Sequence, residues 1–310
     1  MITRQLGRSD VQTSVVGLGT NNFGGRLDLE QTRRVVDQAL EEGVTHLDTA
    51  DVYGHHFGND GAPGRSEQFL GEVLKGRREQ VVLATKFGGD MRDGYAGPRG
   101  TKKYIERAID ASLRRLQTEY IDLYWYHRPD KVTPLDETFG ALGELVQAGK
   151  VKALGASNLT APQLETAAQH GCVALQNEYS LLHRGPEHDG TLAGTERLGV
   201  AFIPYFPLAS GLLTGKYSRF GARPQDSRLT NRDQLASEDE WALIDALTSY
   251  ARERSLTLVQ VAIGALLAKP SVASVIAGAT RPEQVSANAA ATEWQPSAAD
   301  LTALESLLSG

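Results

Sequence analysis

A (β/α)8 barrel is the fold class this sequence predicts, and three observations lead to it. Short apolar or β-branched runs alternate with longer segments of helical period, the pattern of βα units that share a parallel sheet. The runs number eight: Val15–Gly19, Val44–Thr49, Val81–Thr85, Ile121–Tyr126, Val151–Gly155, Val173–Gln176, Val200–Tyr205 and Val272–Ala277. Eight units also suit two doubly wound halves, but the dinucleotide fingerprint of such a half is broken. Gly17 and Gly19 begin it, and Asn22 stands where the third glycine belongs.

Each element has its own justification. Ile2–Val15, with Gly7, Ser9 and Asp10 at its middle, reads as an N-terminal β-hairpin capping one barrel end. The first helix, Glu30 to Glu42, sets Val35, Val36, Ala39 and Leu40 on one face and stops at Gly43. The second starts at Ser66, turns Phe69, Leu70, Val73 and Leu74 inward and ends near Gly76. The third follows Thr101 and aligns Ile105, Ala108, Ile109, Ser112, Leu113 and Leu116. The fourth carries Leu135, Phe139, Leu142, Leu145 and Val146 and ends at Gly149. Another starts with Thr160 and tolerates Pro162 in its first turn, where a missing N–H costs nothing. Ser237 with Glu240 forms a capping box for the helix of Trp241, Leu243 and Ile244.

No stretch between these elements has linker composition, so residues 1–310 read as one barrel domain. Two connections are long, His55–Arg65 after the second strand and Leu208 to about Ala236 after the seventh. Both fall on the strand C-terminal face, where barrel active sites are built.

Composition narrows the partners. The net charge of −6 argues against nucleic acid or an anionic membrane as the main partner. Cys172 is the single cysteine, so an intrachain disulfide and thiolate metal clusters are excluded. The opening MITRQLGRSD has no signal-peptide pattern, and no run approaches the roughly 20 apolar residues of a membrane span. The expectation is a soluble cytoplasmic protein whose partner is a small molecule. Its oligomeric state is not legible.

The reactive side chains fall at strand ends. Asp48 closes the second strand, with Tyr53 five residues on; Lys86 closes the third and His127 the fourth. Alone, each has a plain structural reading as a helix cap, an ion-pair partner or a packed ring with a wet hydroxyl. Together on one rim they make an acid catalyst for carbonyl reduction. Hydride addition leaves an alkoxide that needs a proton, and a phenol of pKa about 10 is a reluctant donor. An ammonium beside it stabilises the phenolate, Asp48 holds that ammonium, and His127 polarises the carbonyl. The hydride must come from a cofactor.

These motifs identify a resemblance. Gly43-Val44-Thr45-His46-Leu47-Asp48-Thr49-Ala50, continuing to Tyr53-Gly54, resembles the signature of the aldo-keto reductases around their catalytic Asp and Tyr. Lys86 and His127 match the rest of that family's tetrad, and Gly149-Lys150-Val151 through Gly155-Ala156-Ser157-Asn158 resembles a second signature. The similarity spans essentially the whole chain, with the motifs in the family's order.

The resemblance implies NADPH (NADP+) as cofactor and a small carbonyl or alcohol substrate. It implies that Ser157, Asn158 and Gln176 hydrogen-bond the nicotinamide carboxamide, that Tyr205 stacks on the ring, and that Gly19 and Thr20 lie near it. The run from Leu208 through Ser210 and Gly211 to Lys216 is similar to the family's pyrophosphate loop. Its small residues, backbone N–H groups and one lysine suit a phosphate, although Tyr217 rules out a P-loop. After the eighth strand come Gly278 and Arg281, the latter set at a helix N-terminus by Pro282. By resemblance Arg281 takes the 2′-phosphate, and Gln284 and Asn288 take the adenine.

Phe23, Phe57 and Phe206 are expected to wall a substrate pocket, and Gly88–Gly100 to form a flap. Trp125 reads as barrel core, and His55 and His56 as solvated loop residues. Three rivals stay open: a metal-dependent barrel hydrolase using His46, Asp48 and His127, an NADPH-binding regulatory subunit with negligible turnover, and a dehydrogenase running mainly in the oxidative direction. No metal is expected in the reductase reading.

Overall fold

The computed structural model describes residues 1–55, 61–221, 229 and 235–309. The expected hairpin is present: β1 (Thr3–Gln5) pairs antiparallel with β2 (Gln12–Ser14). Its turn plugs the end of the barrel at which the strands begin. Leu6 is fully buried among the inward-facing residues of the barrel. At Gly7, with φ 54°, a β-carbon would lie 2.3 Å from the Val173 carbonyl oxygen.

The βα units follow in order: β3 (Val16–Gly19), α1 (Leu29–Glu41), β4 (His46–Asp48), α2 (Arg65–Val73), β5 (Val82–Phe87), α3 (Lys102–Leu116), β6 (Ile121–Tyr126) and α4 (Leu135–Gln147). Then come β7 (Val151–Ser157), α5 (Ala161–Gln169), β8 (Cys172–Gln176), α6 (Gly185–His188), α7 (Thr191–Leu198) and β9 (Ala201–Phe202). The chain ends with α8 (Glu238–Glu253), α9 (Leu258–Leu267), β10 (Val275–Gly278), α10 (Pro282–Ala290) and α11 (Ala298–Leu308). The eight strands β3 to β10 are parallel and ordered β10-β3-β4-β5-β6-β7-β8-β9. Backbone bonds close the ring between its ends: Phe202 N–H donates to Ser271 O (2.7 Å), Ala273 N–H to Phe202 O (3.1 Å) and Ile276 N–H to Pro204 O (3.0 Å).

The helix starts obey their local chemistry. Ser237 and Glu240 form the expected capping box on α8, and Thr160 and Gln163 form one on α5, each satisfying end donors of its helix. Outward-facing strand residues and the inner helix faces make the larger apolar core. On the fourth helix Phe139, Leu142 and Leu145 enter that core, whereas Val146 reaches solvent.

Inside the ring the alternate residues are mostly small: Ala84, Ala153, Ala174, Ala201 and Ala273. They make room for Trp125, which fills the barrel as expected. Gly155 is required beside it, since a β-carbon there would lie 2.2 Å from the indole Cε3. Because side chains alternate between faces, the next inward position on each strand lies at the open end.

Candidate active site

That alternation carries the site. Two residues beyond Ala84 is Lys86; two beyond Trp125 is His127; two beyond Gly155 is Ser157; two beyond Ala174 is Gln176; two beyond Ile203 is Tyr205. Asp48 ends β4 on the same inward parity as His46. The residues expected at the rim from their strand positions therefore gather at one end of the barrel.

Lys86 is the hub. Its ammonium is fully buried and donates to Asp48 Oδ2, to the Thr49 carbonyl (2.9 Å) and to the Tyr53 hydroxyl (3.4 Å). Burial pulls the lysine pKa down, but Asp48 and Tyr53 outweigh it and leave the ammonium above its ordinary value. Tyr53 meets the half-buried His127 ring edge to face at 6.0 Å. Phenol, ammonium, carboxylate and imidazole are thus one contiguous group.

The backbone of that group is fixed by a buried hydroxyl knot. Thr20 N–H and Oγ1 both donate to the Asp48 carbonyl, at 3.0 and 3.1 Å. Ser66 Oγ lies within 3.0 Å of Thr20 Oγ1 and 2.9 Å of Thr49 Oγ1. Thr20 thereby secures the end of β4, and Gly19 pairs with both Asp48 and Gly278 across the sheet.

A second network runs round the rim. Ser157 Oγ donates to the Gln176 carbonyl (2.6 Å), and Gln176 Nε2 donates to Asp48 Oδ1 (3.2 Å). Asn158, held at φ 62°, donates through Nδ2 to the His127 carbonyl and Ser157 Oγ, both at 3.0 Å. The Tyr205 hydroxyl donates to Asn158 Oδ1 at 2.8 Å, which fixes the Tyr205 ring at the mouth. Burial and nearby Glu178 raise the Tyr205 pKa, so this phenol stays protonated.

The cofactor residues can be weighed on backbone geometry. Ala209, Ser210 and Gly211 are three consecutive residues with positive φ (46°, 57° and 102°). Such a run is costly for the two non-glycines and is found where backbone N–H groups wrap a ligand. A β-carbon on Gly211 would lie 3.0 Å from Lys216 Nζ, so that ammonium folds over the same turn, which Leu208 closes by accepting Gly211 N–H (2.8 Å). Arg281 is the exposed N-cap of α10. Gln284 reaches back so that its Oε1 accepts from Thr280 N–H (2.7 Å) and Oγ1 (3.1 Å), leaving only its NH2 to meet a ligand. Asn288 lies one turn further along the helix and is buried. A small-residue turn with a cation, followed by a helix start bearing an arginine, fits a dinucleotide's phosphates.

One substrate-wall expectation changes. Phe23 is 0 % exposed within the main core, so it supports the loop after β3 and offers no face to the rim. Phe57 lies outside the described residues, as does His56. Phe206 does stand at the mouth, half-buried and edge to face with Tyr205 at 5.2 Å. In the 88–100 segment, Asp90 pairs with Arg99 and Asp93 with Arg107, which ties it to α3.

Sequence reading missed a polar cluster behind the site. Asp51 is 1 % exposed; its carboxyl has no side-chain hydrogen-bond partner among the described residues, and the Val52 N–H is the backbone donor beside it. Burial and the neighbouring Glu67 push its pKa well above the ordinary range. The charge of Arg115 offsets this only in part, and its Nε is bonded to Glu67 Oε2 (2.6 Å), while Glu67 Oε1 accepts from Thr85 (2.7 Å). His46, by contrast, is buried with Nδ1 against Ser274 Oγ (3.1 Å), and burial lowers its pKa to about 4. Among the described residues no three His, Cys, Asp or Glu side chains form a group able to hold a metal ion.

Comparison with known proteins defines the class. The sequence pattern of the Aldo/keto reductase family matches residues 15–309, and the chain belongs to that family. It is an oxidoreductase acting on CH–OH and C=O groups, and the family's chemistry runs through a nicotinamide cofactor. L-glyceraldehyde 3-phosphate reductase of Escherichia coli is 34% identical over 304 residues, spanning 92% of this chain and 86% of that protein. A probable voltage-gated potassium channel subunit beta of Arabidopsis thaliana is 33% identical over 313 residues, spanning 94% and 92%. The holo form of an aldo-keto reductase from Bacillus halodurans superposes with a TM-score of 0.82 at 33% identity, covering 99% of this chain and 96% of that one. No helix among the described residues is long and apolar enough to cross a membrane.

Proposed function

We propose that the chain is a single cytoplasmic barrel that reduces an aldehyde or ketone to an alcohol at the expense of NADPH. Tyr53 is the general acid, Lys86 and Asp48 tune it, and His127 polarises the carbonyl. The observation that carries this reading is the buried Lys86 ammonium, shared between Asp48 and the Tyr53 hydroxyl at 3.4 Å. The bound nicotinamide supplies the hydride. The Tyr53 hydroxyl then gives its proton to the nascent alkoxide, and Lys86 stabilises the phenolate left behind. Asp48 keeps Lys86 charged and oriented, and His127 fixes the carbonyl oxygen. Ser157, Asn158 and Gln176 hold the carboxamide, Tyr205 packs on the ring, and the 208–216 turn with Lys216 wraps the pyrophosphate. Arg281, Gln284 and Asn288, beside Gly278, receive the adenosine end.

The test follows NADPH oxidation by absorbance with an activated aromatic aldehyde, methylglyoxal and glyceraldehyde 3-phosphate, the last suggested by the Escherichia coli relative's name. Tyr53→Phe should lose about 10²–10⁴-fold in kcat while still binding NADPH, and chelator should change nothing. Near-normal turnover by Tyr53→Phe would sink the assignment of the acid. The channel-subunit relative supports a second reading, tight NADPH binding with negligible turnover, and failure on all three substrates despite binding would favour it.

A further inference from the structure

We infer that Gln176 is a positioning residue that couples recognition of the cofactor's carboxamide to the acidity of Tyr53, an inference resting on the reading above. Asp48 spends one carboxylate oxygen on Lys86 and the other on Gln176 Nε2, at 3.2 Å and out of solvent. A carboxylate only accepts, so the NH2 end of Gln176 must face Asp48; chemistry fixes this amide's orientation. The main chain of Gln176 is fixed too, since its carbonyl accepts from Ser157 Oγ (2.6 Å) and Asn158 N–H (3.1 Å). Gln176 Oε1 therefore points away from Asp48 and can only accept a hydrogen bond.

Asn158 cannot play this part. Both of its N–H donors are engaged by His127 O and Ser157 Oγ, and its oxygen accepts from Tyr205, with the second lone pair left for the carboxamide. None of these partners is a group of the Asp48–Lys86–Tyr53 chain. Gln176 is the amide that touches that chain directly, and its acceptor matches the N–H2 of a carboxamide.

The consequence runs through four groups. Once Oε1 accepts an N–H, the Gln176 NH2 is polarised and donates more strongly to Asp48. Asp48 then draws less on Lys86, and Lys86 donates more fully to the Tyr53 oxygen, which favours phenolate. A cooperative gain of about 10–30% in a charge-assisted bond, passed undiminished through Asp48 and Lys86, corresponds to a fall of roughly 0.1–0.7 pH unit in the Tyr53 midpoint.

The experiment is an ultraviolet phenolate titration of the whole protein, with the Tyr53→Phe trace subtracted to isolate Tyr53. It compares NADP+ with its 3-acetylpyridine analogue, which keeps the pyridinium charge and carbonyl but lacks the N–H2. Wild type should show a Tyr53 midpoint lower with NADP+ by that interval, and Gln176→Met should show equal midpoints with the two ligands. Equal midpoints in wild type, or an undiminished difference in Gln176→Met, would overturn the coupling. The wild-type comparison needs no variant of Gln176 to fold. Failure of the parent reading looks different: Tyr53→Phe would turn over near-normally, and the coupling would fall with it.

Discussion

Replacing Asp51 by Asn gives a prediction whose size follows from where that residue sits. Its carboxyl is buried, Glu67 stands nearby, and the Arg115 Nε that would balance it is bonded to Glu67. Lys86, Tyr104 and Tyr124 complete its surroundings, Lys86 already paired with Asp48 and Tyr124 carrying a buried hydroxyl without a partner among the described residues. An acid with a native pKa above its unfolded value of about 3.9 binds more protons folded than unfolded between those two values. Its stability contribution is therefore complete below about pH 3.9 and is lost as pH rises to the native pKa, at about 1.4 kcal/mol per pH unit. An amide in its place cannot ionise, so Asp51→Asn should gain on wild type as pH rises above about 3.9, at a limiting slope of about 1.4 kcal/mol per unit that ends at the native pKa. The amide's own buried N–H donors add an offset that does not vary with pH. The assay is urea unfolding of both proteins at pH 5, 6 and 7, with fluorescence and circular dichroism transitions required to coincide. A stability difference that is flat across this range would mean that Asp51 is already ionised in the fold, and the account of its burial would be wrong.

Two further substitutions test other links. Gly155→Ala brings a β-carbon to 2.2 Å from Trp125 in the barrel interior, and should cost about 1–3 kcal/mol of unfolding free energy; a melting temperature equal to wild type would show that the indole can move aside. Arg281→Ala should weaken NADPH by about 10–100-fold, as expected for a lost charge-assisted bond, and leave NADH nearly unchanged. Fluorescence titration of both cofactors checks this, and equal losses would place the 2′-phosphate elsewhere.

The barrel was legible because its signals are local and repeated. Eight apolar runs and their helix caps need no long-range information, and six of the eight runs match strands to within two residues at either end. The two exceptions meet where the ring closes. The run expected at Val200–Tyr205 forms a ladder only at Ala201–Phe202, because Pro204 has no N–H to continue it. Its carbonyl still accepts Ile276 N–H at 3.0 Å and helps to close the ring. The run expected from Val272 becomes a strand only at Val275, its first residue making an isolated bridge to Phe202. Helix α9 was not read, for a different reason: every residue from Leu258 to Leu267 except Gln260 is buried, so no polar face marks a helical period.

The site divides in the same way. Lys86, His127, Ser157, Gln176 and Tyr205 were legible because each lies at or just past the C-terminal end of a strand on the inward parity. What the sequence hid is how their neighbours are charged, since burial and pairing are set by residues far apart in the chain. Lys86, His46 and Asp51 show this beside the acid. Lys86 is held charged, His46 is held neutral by burial with a pKa of about 4, and Asp51 is pushed toward its neutral form. His46 and Lys86 keep their charge states across neutral pH, so the field at Tyr53 comes from the Lys86–Asp48 pair unless Asp51 ionises. A pH–rate profile that is the same in wild type and Asp51→Asn would locate its inflections in Tyr53, His127 or the substrate. A new inflection present only in wild type would show that Asp51 titrates in the working range, with its charge reaching Tyr53 through Lys86.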